Sequence, residues 1–261
     1  MIGFLVKKSF FDGWDNLIRL VVMNLVYLVL FALILLLPTA WESLSPLALA
    51  ALLVPGFFLI MLYTGFLGPF LTGISRYQSL TLKEGWALFK KNLRTLLFFS
   101  ALNLAVLILT GISLPFYMGL GGIPGTAGAG LVFWVLLFWL GSSQYFIPLL
   151  CQMGGGTLKN IKKGFLILLD NPGFSLFTMA GTVFIAAISV FTAFLIPGIS
   201  KALLFQHEAL KLRLLKYDYL EEQNSTAGPG RVDIPWDTLL AEDRENVGPR
   251  TLKGMIFPWK D

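Results

Sequence analysis

Charge is what this chain has least of. Of its 261 residues only 13% are Asp, Glu, Lys or Arg, against about 25% in an ordinary soluble domain. Hydrophobic side chains make up 56%, and the mean hydropathy is +0.75. A water-soluble monomer of this composition lacks the polar groups to cover its surface. The single cysteine, Cys151, excludes an intrachain disulfide. The single histidine, His207, has no His or Cys partner at ligand spacing, so no zinc or haem motif is present. No P-loop or Gly-x-Gly-x-x-Gly opens a helix, and Ser142-Ser143-Gln144 has no histidine nearby in sequence. These absences argue against an enzyme, a cofactor and a metal centre. Basic residues near apolar runs are accounted for by anionic lipid, without nucleic acid.

Long uncharged runs dominate what is present. Residues 20–41, 43–75, 95–158 and 171–200 contain no Asp, Glu, Lys or Arg. A membrane-crossing helix needs about 20 mostly apolar residues at about 1.5 Å rise each. The first run fits one crossing (20–37), the second one longer crossing (47–74). The third is too long for one and fits two (95–117 and 129–152), with the glycines and Pro124 of LGGIPGTAGAG reading as the turn. The fourth fits one (172–196). Residues 199–219 are apolar enough for a sixth only if their charges are placed. Lys201 could snorkel to one interface and Arg213 and Lys216 to the other, while His207 and Glu208 face protein. The other placement is an amphipathic helix on the membrane surface. The first apolar stretch is longer than a signal peptide's core, and PTAWES offers no A-x-A site, so it reads as a retained anchor.

The loops give an orientation. Lys7, Lys8 and Arg19 precede the first span. Arg76, Lys83, Lys90, Lys91 and Arg94 lie between the second and third, and Lys159, Lys162 and Lys163 between the fourth and fifth. The opposite side has Lys201 alone. The positive-inside rule then puts the N-terminus and these loops in the cytoplasm, and a sixth span puts the C-terminus there too. Trp14 and Trp41 suit interfacial aromatic belts. Residues 1–220 form a multi-pass membrane domain, and 221–261 a cytoplasmic tail. Residues 1–216 carry a net +9 and residues 217–261 a net −4.

Three segments repeat. Asp12-Gly13-Trp14 leads to Asn16, Glu84-Gly85-Trp86 to Asn92, and Lys163-Gly164-Phe165 to Asn171, each just before an apolar span. The spans that follow end near Pro38, Pro115 and Pro197. The pattern implies an all-α, polytopic transmembrane helical bundle of about six spans, arranged as three hairpin repeats with interfacial amphipathic helices. In each, a short amphipathic helix ends at the asparagine and the chain turns into the bilayer.

Gly68-Pro69-Phe70-Leu71-Thr72-Gly73 closes the second span, and a basic segment then ends in Trp86-Ala87-Leu88-Phe89-Lys90-Lys91-Asn92-Leu93. This arrangement resembles the YesL family of small bacterial membrane proteins, over about residues 4–220. The resemblance implies a helical bundle in the inner membrane and an association with carbohydrate uptake, often beside sugar ABC importers. It brings no catalytic residues. The polar tail after Tyr219 departs from that family's pattern.

Asn24, Asn103 and Gln144 lie in apolar stretches, where amides either join helices or line a solute path. His207 and Glu208 complete the intramembrane polar set. No Asp or Glu falls within the first five spans, which disfavours proton-coupled transport. In the tail, NSTAGPG reads as a linker and residues 235–246 as a short helix with Leu239 and Leu240 on its apolar face. Met255, Ile256, Phe257 and Trp259 need burial, against the protein's own surface or against a partner such as importer subunits. The expected function is a non-enzymatic membrane accessory or assembly protein, plausibly linked to a carbohydrate ABC import system. The alternative is a small-solute transporter or channel.

Overall fold

The computed structural model describes residues 1–39, 45–227 and 234–251, and all its regular structure there is helical. The N-terminal helix α1 (Ile2–Asp15) meets α2 (Leu17–Thr39) at Asn16. The chain continues through α3 (Pro46–Ser75), α4 (Leu82–Leu120), α5 (Gly122–Ser143), α6 (Phe146–Met153), α7 (Thr157–Asp170), α8 (Pro172–Val190) and α9 (Gly198–Ala227). Two short helices, α10 (Trp236–Leu239) and α11 (Ala241–Val247), follow. Among the described residues five segments are long and apolar enough to cross a membrane: Leu17–Ile34, Leu47–Ser75, Leu82–Leu120, Gly122–Met153 and Pro172–Val190. The protein is an all-α membrane bundle. Trp41, the later part of the expected linker, and Met255, Ile256, Phe257 and Trp259 lie outside the described residues.

Three antiparallel hairpins, α2–α3, α4–α5 and α8–α9, build the bundle. Each contains a bond between its two helices. The Tyr27 hydroxyl donates to Thr64, whose own proton goes to the Ile60 carbonyl. Trp139 Nε1 donates to Asn103 Oδ1 at 3.1 Å, and Gln206 Nε2 to Thr182 Oγ1 at 3.4 Å. Tyr27, Asn103 and Thr182 each stand eleven positions after the repeat asparagine (16, 92 and 171), so the three hairpins share one register.

The repeat glycines mark where each amphipathic segment crosses a neighbour. A Cβ on Gly85 would fall 2.1 Å from the Phe70 ring of α3, and one on Gly164 2.6 Å from the Ser142 carbonyl of α5. On Gly13 it would fall 2.7 Å from Lys201 of α9. Each amphipathic segment thus packs on the second helix of another hairpin, and the third hairpin closes on the first segment. Gly68 performs the same service at the centre. Its missing Cβ would meet Cys151 of α6 at 2.6 Å and Ile147 at 2.9 Å, and would come within 4.0 Å of His207 of α9.

Two local expectations change. The asparagine does not end every amphipathic segment. Asn16 and Asn171 do so, the latter because Pro172 lacks the N–H to carry the helix on. Asn92 is followed by Leu93, and α4 runs unbroken through 39 residues, about 58 Å at 1.5 Å per residue. The glycine-rich LGGIPGTAGAG is mostly helix too. The reversal is confined to Gly121 and Gly122, both at positive φ, and α5 starts at once. Gly125 and Gly128 lie inside α5 because α4 comes so close; a Cβ there would strike the carbonyl or the ring of Tyr117.

A buried ionic cluster around the central helix

Helix α9 is as long as the spans but far more polar, and protein rather than lipid receives its charges. It runs antiparallel to α8, from Gly198, whose N–H donates to Ser189 Oγ, to Arg213, whose guanidinium lies 3.7 Å from the Phe174 ring. Helices α1, α2, α3 and α6 enclose its other faces. Leu204, Glu208, Ala209, Leu210 and Leu212 are fully shielded.

Two polar groupings radiate from it. On the face toward α3 and α6, His207 Nδ1 and Thr72 Oγ1 are 2.9 Å apart. Gln152 Nε2 donates to the His207 carbonyl at 3.2 Å, and Arg76 donates to Gln152 Oε1 at 3.1 Å. Three repeats therefore meet through Thr72, Gln152 and His207. On the face toward α1, Lys8, Asp12, Lys201, Glu208, Lys211 and Asp243 gather, three cations and three carboxylates, with Lys211 the most exposed side chain at 12%.

Lys8 is the hub of that second grouping. Its Nζ lies 2.7 Å from Asp12 and 3.0 Å from Asp243, and donates to the Tyr77 hydroxyl at 2.6 Å. Burial works against its charge, but Asp12, Glu208 and Asp243 outweigh burial and hold its ammonium above the ordinary lysine range. Burial dominates at Asp12, whose carboxyl is raised despite Lys8. Burial also raises the Tyr77 phenol, so it stays protonated. Lys211 reaches Asp243 at 2.7 Å and the Ser75 carbonyl at 3.1 Å. Lys201 donates to the Ser9 carbonyl and hydroxyl, which the absent side chain of Gly13 makes room for. Lys201 thus turns toward the N-terminal helix rather than to the opposite interface. Unpaired, each of these charges would cost several kcal/mol to bury; close pairs offset this for Lys8, Asp12, Lys211 and Asp243, whereas both Glu208 oxygens are buried without a hydrogen-bond partner.

Asp243 comes from the tail. Helices α10 and α11 fold back over the end of the bundle that carries the basic loops. Leu240 is 1% exposed, in a core with Leu5, Phe174, Phe205, Ala209 and Leu212. Leu239 is half-buried. Arg250 makes a two-pronged contact with Asp15 at 2.8 and 2.9 Å, which raises the guanidinium further. Lys7 donates to the Gly248 carbonyl at 3.2 Å.

The remaining sequence candidates are bonded within the protein. Asn24, fully buried, donates to the carbonyls of Leu195 and Pro197 and accepts from Ser200 N–H. Asn103 donates to the Phe99 carbonyl besides accepting from Trp139. Gln144 Nε2 donates to the carbonyls of Gly141 and Ser175. Sequence reasoning places His207 and Glu208 against protein but leaves Lys8, Asp12, Lys211 and Asp243 among flanking or tail charges. The available signal was Lys8 and Asp12 at i, i+4 on an amphipathic helix. No histidine, cysteine and carboxylate grouping among the described residues is suited to a metal ion.

The chain matches no protein-family model, no curated protein and no solved structure.

Proposed function

We propose that the protein is a non-enzymatic membrane scaffold that assembles with a larger integral membrane complex. One observation carries this reading: the amides buried in its apolar segments bond its own helices to one another. Asn24 ties α2 to the α8–α9 turn, Asn103 ties α4 to α5, and Gln144 ties α5 to α8. Lys8 and Lys211 pair with Asp12 and Asp243, Lys201 bonds to Ser9, and the tail covers the cluster. Such an interior fixes a shape and leaves the outer apolar faces to lipid and to partner helices. The basic end faces the cytoplasm by the positive-inside rule, and the resemblance to the YesL pattern supports a bacterial inner membrane. The partner class is a carbohydrate ABC importer, on the strength of the resemblance of Gly68–Gly73 and Trp86–Leu93 to the YesL pattern.

The test is isolation of the tagged full-length protein from bacterial membranes after mild cross-linking. Enrichment of importer membrane subunits over an equally abundant unrelated inner-membrane protein supports the proposal; equal recovery overturns it. The meeting of three repeats at Thr72, Gln152 and His207 favours a second reading, a small-solute transporter. Solute flux into proteoliposomes that disappears in Thr72→Val and His207→Leu, with folding retained, would establish that reading instead.

A further inference from the structure

A groove of about 670 Å³ opens on the outer surface of the basic end, between α4 and the start of α7. Arg94 and Lys159 line it, together with Gly156, Thr157, Leu97, Phe98 and Leu158. The Thr157 hydroxyl fixes its width by donating to the Thr95 carbonyl at 3.4 Å.

The groove is divided by depth. Leu97 and Phe98 follow Arg94 by three and four positions, so they sit about one turn, roughly 5 Å, further along α4 toward its apolar half. Both are exposed, at 40% and 50%. Polar and apolar chemistry are thereby stacked along the membrane normal. Neither the Arg94 guanidinium nor the Lys159 ammonium has an ion-pair or hydrogen-bond partner among the described residues, unlike Lys8, Lys201 and Lys211. The first turn of α7 has no side-chain cap, since Gly156 stands at its N-cap. Behind that turn Asn160 is fully buried, and neither atom of its amide finds a partner.

We infer that this groove is a binding site for one anionic phospholipid. Its phosphate sits between Arg94 and Lys159 before the free amides of α7, and an acyl chain lies along Leu97 and Phe98. The unpaired cations supply the charge complementarity. The apolar wall selects a lipid over a free anion. The inference rests on the membrane bundle alone and stands whether or not the scaffold reading does.

Native mass spectrometry of the intact detergent-solubilised protein tests it, with phosphatidylglycerol and phosphatidylcholine of the same acyl chains. The expected result is phosphatidylglycerol retained under activation that strips phosphatidylcholine. In Arg94→Gln/Lys159→Gln that retention falls roughly tenfold or more. Lys90→Gln/Lys91→Gln, on the same helix but outside the groove, keeps it. Unchanged circular dichroism and elution volume exclude misfolding, and Leu97→Ala/Phe98→Ala provides an independent variant that also loses retention. Equal retention of the two lipids, equal loss in the Lys90/Lys91 variant, or competition by inorganic phosphate alone would overturn the site.

Discussion

Among single residues, Asp243 has the largest expected effect. It sits between Lys8 and Lys211 at 3.0 and 2.7 Å and is 2% exposed. Its removal leaves two buried ammonium groups facing each other. Asp243→Ala should destabilise the folded protein by roughly 3–5 kcal/mol, the usual cost of breaking a buried pair. Equilibrium unfolding in mixed micelles measures it. Asp243→Ala combined with Lys8→Met should lose less than the sum of the two single variants, because each removes the other's stranded partner. Asn24→Leu should cost about 1–3 kcal/mol by the same assay, since it strands two carbonyls and an N–H at once. These residues also mark where sequence reasoning stops. An amide inside an apolar run announces a helix contact, but Asp243 lies in a polar tail where carboxylates are ordinary. Nothing local says that one of them returns to a lysine more than 230 positions earlier.

For the elements, hydropathy reaches furthest where lipid is the solvent. The first five spans are legible because a lipid-facing helix has to be apolar on most of its circumference. Helix α9 escapes that rule because other helices surround it, so its charges reflect their protein neighbours rather than its depth. The fate of Asn92 was equally hidden: the repeat suggests a break, and only the missing proline distinguishes it from Asn171. The attachment of α7 to α9 gives a pH prediction. Burial pushes the Asp170 carboxyl up, but hydrogen bonds from Tyr217 and Lys216 outweigh it and hold the group below the ordinary carboxylate range. A lowered folded-state value contributes stability above the unfolded-state pKa, about 3.9, and loses it as pH falls through the folded value. Amide exchange in residues 167–171 should therefore accelerate relative to the α8 core as the medium is acidified below about pH 4, and Asp170→Asn should show that fast exchange already at neutral pH.

For the whole molecule, the ring of three hairpins sets a topology that thiol labelling can read. In a Cys151→Ser background, single cysteines at Gly121 and at Lys159 should react with a membrane-impermeant maleimide from opposite sides of sealed vesicles. Labelling from one side alone would end the hairpin arrangement of α4 and α5. The shared register of Tyr27, Asn103 and Thr182 adds a comparative expectation. Replacing each with a residue that cannot bond should loosen its own hairpin by a similar amount, about 0.6–2 kcal/mol. An isolated effect at one hairpin would mean that the likeness is geometric and not energetic.

The fold-back of α11 has a bearing on biosynthesis. The ribosome delivers Lys8 more than 230 residues before Asp243, which emerges only after the five apolar spans described above. Until α11 emerges the cluster holds three lysines against two carboxylates, and any product truncated before α11 keeps that excess. Arrival of α11 is thus written into the charge balance of the bundle, a physical difference between copies that carry this helix and copies cut short before it.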